Sequence, residues 1–146
     1  MKSEKSQKTQ ITVQITVNAP IRKVWQVWTT ADDILQWNTP SADWHTTRAE
    51  IDFREKGEFL FRMEAKDGST GFDYSGMYDR IINHEHIEHT GHDGRQAIIK
   101  FIPESGAIRI TETFDVDEAT PIELQNDFCQ GVLNSFKRYT ENDTSK

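Results

Sequence analysis

ITVQITV, residues Ile11 to Val17, alternates Ile11, Val13, Ile15 and Val17 with Thr12, Gln14 and Thr16. A period of two is the pattern of a half-buried strand. The strand runs into Asn18-Ala19-Pro20, where Asn suits a helix cap and Pro the first helical turn. Val24, Trp25, Val27 and Trp28 predict a short helix, and ADDILQW (31–37) predicts a second, opened by Asp32 and Asp33 at the positive end of its dipole. At the far end, PIELQNDFCQGVLNSFKRY (121–139) places Leu124, Phe128, Val132 and Phe136 four residues apart, with Leu133 and Tyr139 beside them. That is a wide apolar stripe on one long helix.

Between these ends the chain reads as strand after strand: 47–54, 58–65, 71–82, 86–90, 95–102 and 107–116. Turn signals separate most of them, at Lys56-Gly57, Asp67-Gly68, Asp93-Gly94 and Ser105-Gly106. The stretch NTPSADWHT (38–46) predicts a loop that carries Trp44. An antiparallel sheet with one long terminal helix must bury the helix stripe against itself. The expected fold is α+β: a curved antiparallel sheet wrapped around a C-terminal helix, with two short helices after the first strand. Such a shape leaves room for a cavity between sheet and helix.

Strand parity sorts the two faces. Ala49, Ile51 and Phe53 share one side, as do Phe59, Phe61 and Met63, and Phe72, Tyr74 and Tyr78. The opposite sides carry Arg48, Glu50 and Asp52, then Glu58, Arg62 and Glu64, then Asp73, Ser75 and Asp79. The concave face is therefore aromatic and the convex face charged.

Length and composition bound the function. The 146 residues suffice for one core, here expected over 9–142, with polar tails at 1–8 and 143–146. A net charge of −7 argues against nucleic acid, which needs clustered Lys and Arg. The single cysteine, Cys129, excludes an internal disulfide and fits a reducing compartment. No apolar run approaches the ~20 residues of a membrane span, and no signal-peptide core opens the chain. The expected location is the cytoplasm.

APIRKVWQVWTTADDILQW (19–37) resembles the opening signature of the SRPBCC superfamily, which has the START-like or helix-grip fold. AEIDFREKGEFLFRMEAKDGSTGFDYSGMYDRI (49–81) resembles its branch named after the C-terminal domain of the activator of the ninety-kilodalton heat-shock protein ATPase. In that branch a strand ending in Asp-x-Arg leads to a Gly-Gly turn, and a Gly-x-Tyr strand follows. Asp52 and Arg54 match the first element, Gly57 one turn glycine, and Gly76 and Tyr78 the last. Lys56 stands where the other turn glycine is expected, and Phe128-Cys129 where the final helix usually carries Gly-Trp. The resemblance spans about 11–140. It implies carriage of a small hydrophobic molecule of lipid, polyketide or aromatic type. Its alternatives are a cyclase or hydrolase acting on such a molecule, and a module that contacts a chaperone.

On that reading Phe59, Phe61, Tyr74, Tyr78, Phe101, Phe128, Val132 and Phe136 line the pocket, as a mostly apolar site requires. Trp44 closes its mouth from the loop, with His45 beside it. Glu112 is the foremost candidate for a functional polar group inside, because Ile108, Ile110 and Phe114 share its parity in IRITETF. A buried carboxyl must find hydrogen bonds or be held neutral. His84, His86, His89 and His92 crowd into HEHIEHTGH, but i, i+2 spacing on one strand brings at most two ligands together, so a solvated turn is expected and no metal site. Neither a cofactor nor a catalytic residue is expected. Cys129 has no adjacent base, and phosphate loops and dinucleotide fingerprints are missing. The expected partner is the hydrophobic ligand, with a chaperone or a second copy of the chain as the protein alternatives.

Overall fold

A computed structural model of the chain describes residues 9–142, so both expected tails lie outside the described residues. The elements run β1 (Gln10–Val17), α1 (Ile21–Thr29), α2 (Ala31–Trp37), β2 (Trp44–Ile51), β3 (Glu58–Ala65), β4 (Gly71–Ile82), β5 (His86–Gly91), β6 (Gln96–Glu104), β7 (Ala107–Asp115) and α3 (Ile122–Asn142). The strands form one antiparallel sheet in the order β1-β7-β6-β5-β4-β3-β2. Consecutive strands pair with one another except at a single crossing, where β1 joins β7 and leaves β2 at the far edge.

Two register shifts bend this sheet. One falls between Thr46 and Arg48, leaving Thr47 as an extra residue in β2; the other leaves Asp79 extra in β4. A bulge of this kind kinks its strand and raises the local twist. Each also resets parity. Beyond Asp79, Ile81 pairs with the buried Ile87 and packs against the core, while Arg80 is exposed.

The helices are tied down individually. Pro20, not Asn18, holds the cap position of α1, its carbonyl accepting from the Lys23 and Val24 N–H groups at 3.0 Å. Asn18 instead donates its backbone N–H to Glu141 of α3 at 2.7 Å. Trp37 Nε1 donates to the Val27 carbonyl at 3.0 Å, fastening α2 to α1, and the Tyr139 hydroxyl donates to Asp33 at 2.6 Å, fastening α3 to α2. Along the edge strand β1, Gln130 and Lys137 of α3 donate to the Gln14 and Thr16 carbonyls at 2.9 and 2.6 Å. These contacts cover an edge that would otherwise offer itself to another strand.

The core is densest where α1, α2 and α3 meet. Trp28, Trp37 and Phe136 lie 4.9–5.0 Å apart by ring centroids, and Phe101 packs against Trp25 and Trp28. Phe136 is fully buried. Burial of one such side chain contributes roughly 1.5–3 kcal/mol. The expected stripe on α3 is buried only along its second half. Leu133, Ser135, Phe136 and Thr140 are inside, while Leu124 is 60% exposed and Ile122 51%. The first turn of α3 projects beyond the part of the helix that β1 and the short helices cover.

The Asp-x-Arg turn explains its own residue pattern. Arg54 Nε donates to both Asp52 carboxylate oxygens at 3.0 Å, and the Gly57 N–H donates to the Arg54 carbonyl at 2.9 Å. The Lys56 N–H and the Gly57 carbonyl then pair with the backbone of Tyr78 at 2.7 and 2.9 Å, stitching the turn to β4. A Cβ on Gly57 would sit 2.0 Å from the Asp52 carbonyl oxygen, so no other residue fits there.

Candidate functional site

The concave face changes character along its length. At the end where the short helices pack, Phe53, Phe101, Trp25 and Tyr78 fill the space. At the other end Phe61 and Tyr74, paired across β3 and β4, remain half-buried although they lie on the inner face. Phe128, Cys129 and Val132 of α3 are half-buried too. This end of the sheet–helix junction is the candidate cleft.

Its floor is Phe59, buried and in ring contact with Phe61, Tyr74, Tyr78 and His89 at 5.0–5.5 Å. Its rim is a triangle of Trp44, Phe72 and Phe128, with centroids 5.9–6.2 Å apart. Trp44 does not stand in a loop, as expected, but opens β2. The extra residue Thr47 shifts parity so that Trp44 turns toward Phe72 and Phe128, while His45 is exposed beside Glu64. His45 is therefore not brought to the cleft.

Three polar groups lie within electrostatic reach of one another beside this space. Glu112 lies mid-sheet between Val13 of β1 and Ile99 of β6. It is half-buried, within reach of a water molecule, yet enclosed closely enough that burial pushes its carboxyl up to about 7. Among the described residues nothing hydrogen-bonds or ion-pairs with that carboxyl. Burial raises the hydroxyl of Tyr74 and the thiol of Cys129, and the charge of Glu112 raises both further, which places the three groups together. The Tyr74 hydroxyl lies 3.4 Å from His89 Nδ1. Burial holds His89 down to about 4, so its ring is neutral near pH 7. Arg95, which acts on Tyr74 and Cys129 from the β5–β6 turn, is already paired with Asp93 at 2.7 Å.

The model of the family described as activator of Hsp90 ATPase homolog 1-like protein matches residues 18–141. The chain belongs to that family. The solution structure of the AHSA1-like protein from Aeromonas hydrophila is 36% identical, with a TM-score of 0.84 over 91% of this chain and 92% of that one. A Cytophaga hutchinsonii protein, also solved in solution, is 43% identical, with a TM-score of 0.79 over 92% and 93%. A Nitrosomonas europaea crystal structure shares the fold at 16% identity, with a TM-score of 0.81 over 94% and 97%. No curated protein compared with the chain matches it.

Within this AHSA1-like frame the expected ligand residues separate into groups. Phe61, Tyr74 and Val132 are the half-buried residues of the candidate cleft and Glu112 lies near Tyr74, while Phe59 and Tyr78 are buried beneath it and Trp44 and Phe128 stand at its rim. Phe101 and Phe136 belong instead to the packed tryptophan core. His89, expected in a solvated turn, is buried. Its parity with Ile87 was the available signal, since Ile87, His89 and Gly91 are the buried positions of β5. His84 is also less exposed than expected, its ring lying 5.8 Å from Trp25. Among the described residues no three His, Cys, Asp or Glu side chains are grouped as a metal would need. Two open depressions, of about 410 and 490 Å³, lie elsewhere, at the end of α3 and beside the β6–β7 turn. Among the described residues no helix is long and apolar enough to cross a membrane.

Proposed function

We propose that this AHSA1-like chain binds a small hydrophobic molecule between the inner face of β3–β4 and the middle of α3. The observation that carries this reading is the incomplete burial of Phe61 and Tyr74 on the inner face and of Phe128 and Val132 on α3, together with a carboxyl that nothing among the described residues satisfies. An ordinary core would bury the rings and partner the carboxyl. Apolar sites with one or two polar groups are what small ligands use.

A naphthalene probe titrated into the labelled protein should shift the NMR signals of Phe61, Tyr74 and Val132 and leave His45 unmoved. Trp44→Ala should fold and bind that probe severalfold more weakly. Shifts confined to the outer face, or none, would refute cleft binding, and severe unfolding of Trp44→Ala would mark Trp44 as a core residue. One observation favours a second reading, a protein-contacting module: Ile122 and Leu124 stand exposed on the first turn of α3. Chaperone binding that persists with the cleft filled, and is lost on Leu124→Ser, would support it.

A further inference from the structure

Resting on the cleft reading, we infer that the ligand is a lipophilic amine, held by its ammonium group against Glu112 while its apolar body lies on the rings of Phe59, Phe61 and Tyr74. Among the described residues, the Glu112 carboxyl, the Tyr74 hydroxyl and the Cys129 thiol act on one another here, and none of the three can carry a positive charge. Tyr74 is engaged with His89, and His89 is neutral near pH 7. Arg95, the cation among the described residues that acts on Tyr74 and Cys129, is held by Asp93 through two contacts, its Nε at 2.7 Å from Oδ2 and its backbone N–H at 3.0 Å from Oδ1. Val13 and Ile99, the neighbours of Glu112 on β1 and β6, carry no charge.

A carboxylate in that setting receives neither a donor nor a counter-charge from the described residues. An ammonium supplies both, and the ring faces around it add the attraction of a cation for an aromatic quadrupole. A fatty acid would bring a second negative charge into the same enclosure and is disfavoured. An alcohol would satisfy one lone pair and leave the charge uncompensated. The chain's net charge of −7 further favours the approach of cations over anions.

Three matched probes test this: naphthylethylamine, naphthylethanol and naphthylacetate, titrated calorimetrically into the full chain at pH 8. The amine should bind about 10- to 100-fold more tightly than the alcohol, the range one charge-assisted buried bond commands, and the acid most weakly. Glu112→Gln should erase the amine's advantage over the alcohol. Should that variant fail to fold, the wild-type chain at pH 6 still decides, because ionising Glu112 on amine binding releases a proton that two buffers of different ionisation enthalpy count. An alcohol that binds as tightly as the amine, or amine binding that releases no proton, overturns the amine assignment and leaves the cleft standing. Failure of all three probes overturns both.

Discussion

Lys56 is the residue at which this chain departs most plainly from the pattern its turn calls for. Its φ of 71° lies in the left-handed region, where a side chain crowds the following carbonyl. The turn cannot relax, because the Lys56 N–H is bonded to the Tyr78 carbonyl at 2.7 Å and the next residue, Gly57, has no room for a Cβ. Lys56→Gly removes the strain and loosens the unfolded chain, two effects of opposite sign. The steric gain is the larger, so Lys56→Gly should raise stability by about 1 kcal/mol, read as a higher urea midpoint at unchanged slope. Gly57→Ala, one position on, should destabilise by several times that amount. Equal and small effects at both positions would mean that the turn is slack.

At the scale of elements, β3 and β4 were legible to the residue, because alternation marks both, and turn dipeptides flank β3 on both sides and precede β4. The start of β2 was not. A bulge leaves no mark in the alternation of one strand, and the extra residue Thr47 turns Trp44 inward from a strand rather than a loop and leaves His45 exposed. His89 escaped for another reason: a histidine among histidines reads as solvated, although its parity with Ile87 puts it inside. Glu112 was legible because three apolar neighbours share its parity. The long helix illustrates a limit of periodicity, since a stripe records which face is apolar and not how far a partner extends along it. Gly131 carries the same lesson in reverse. A mid-helix glycine ordinarily costs about 1 kcal/mol relative to alanine, yet here a Cβ would stand 2.3 Å from the Pro40 carbonyl oxygen. The glycine is what lets the α2–β2 connection lie on α3. Gly131→Ala should therefore destabilise, by roughly 1–3 kcal/mol, as overpacking does. A rise in melting temperature would show that this contact yields easily.

For the molecule as a whole, Glu112 and His89 couple stability to pH in opposite directions. Glu112 moves from the 4.5 of an exposed carboxyl to about 7 on folding, so its share of stability is complete below 4.5 and is lost as pH rises toward 7. His89 moves from 6.5 down to about 4, so its share is complete above 6.5 and is lost as pH falls toward 4. Near the middle of the shared window, about pH 5.5, the folded protein keeps its proton on Glu112 and the unfolded chain keeps its proton on His89. Each state then holds about one proton between the two groups, and stability should be nearly level. Asp67, Asp93 and Glu141, all held below their ordinary values, lose their contributions as pH falls through the carboxylate range and below, leaving most of this window to the buried pair. Removing either member unmasks the other. Glu112→Gln should gain stability from pH 4.5 to 6.5, and His89→Gln should lose it over the same interval, each by on the order of 2 kcal/mol once the partial solvation of Glu112 is allowed for. Urea midpoints measured across that interval decide the matter. Two variants as level as the parent protein would mean that neither group is enclosed enough to hold its proton state, and a carboxyl so hydrated would have no need of an ammonium.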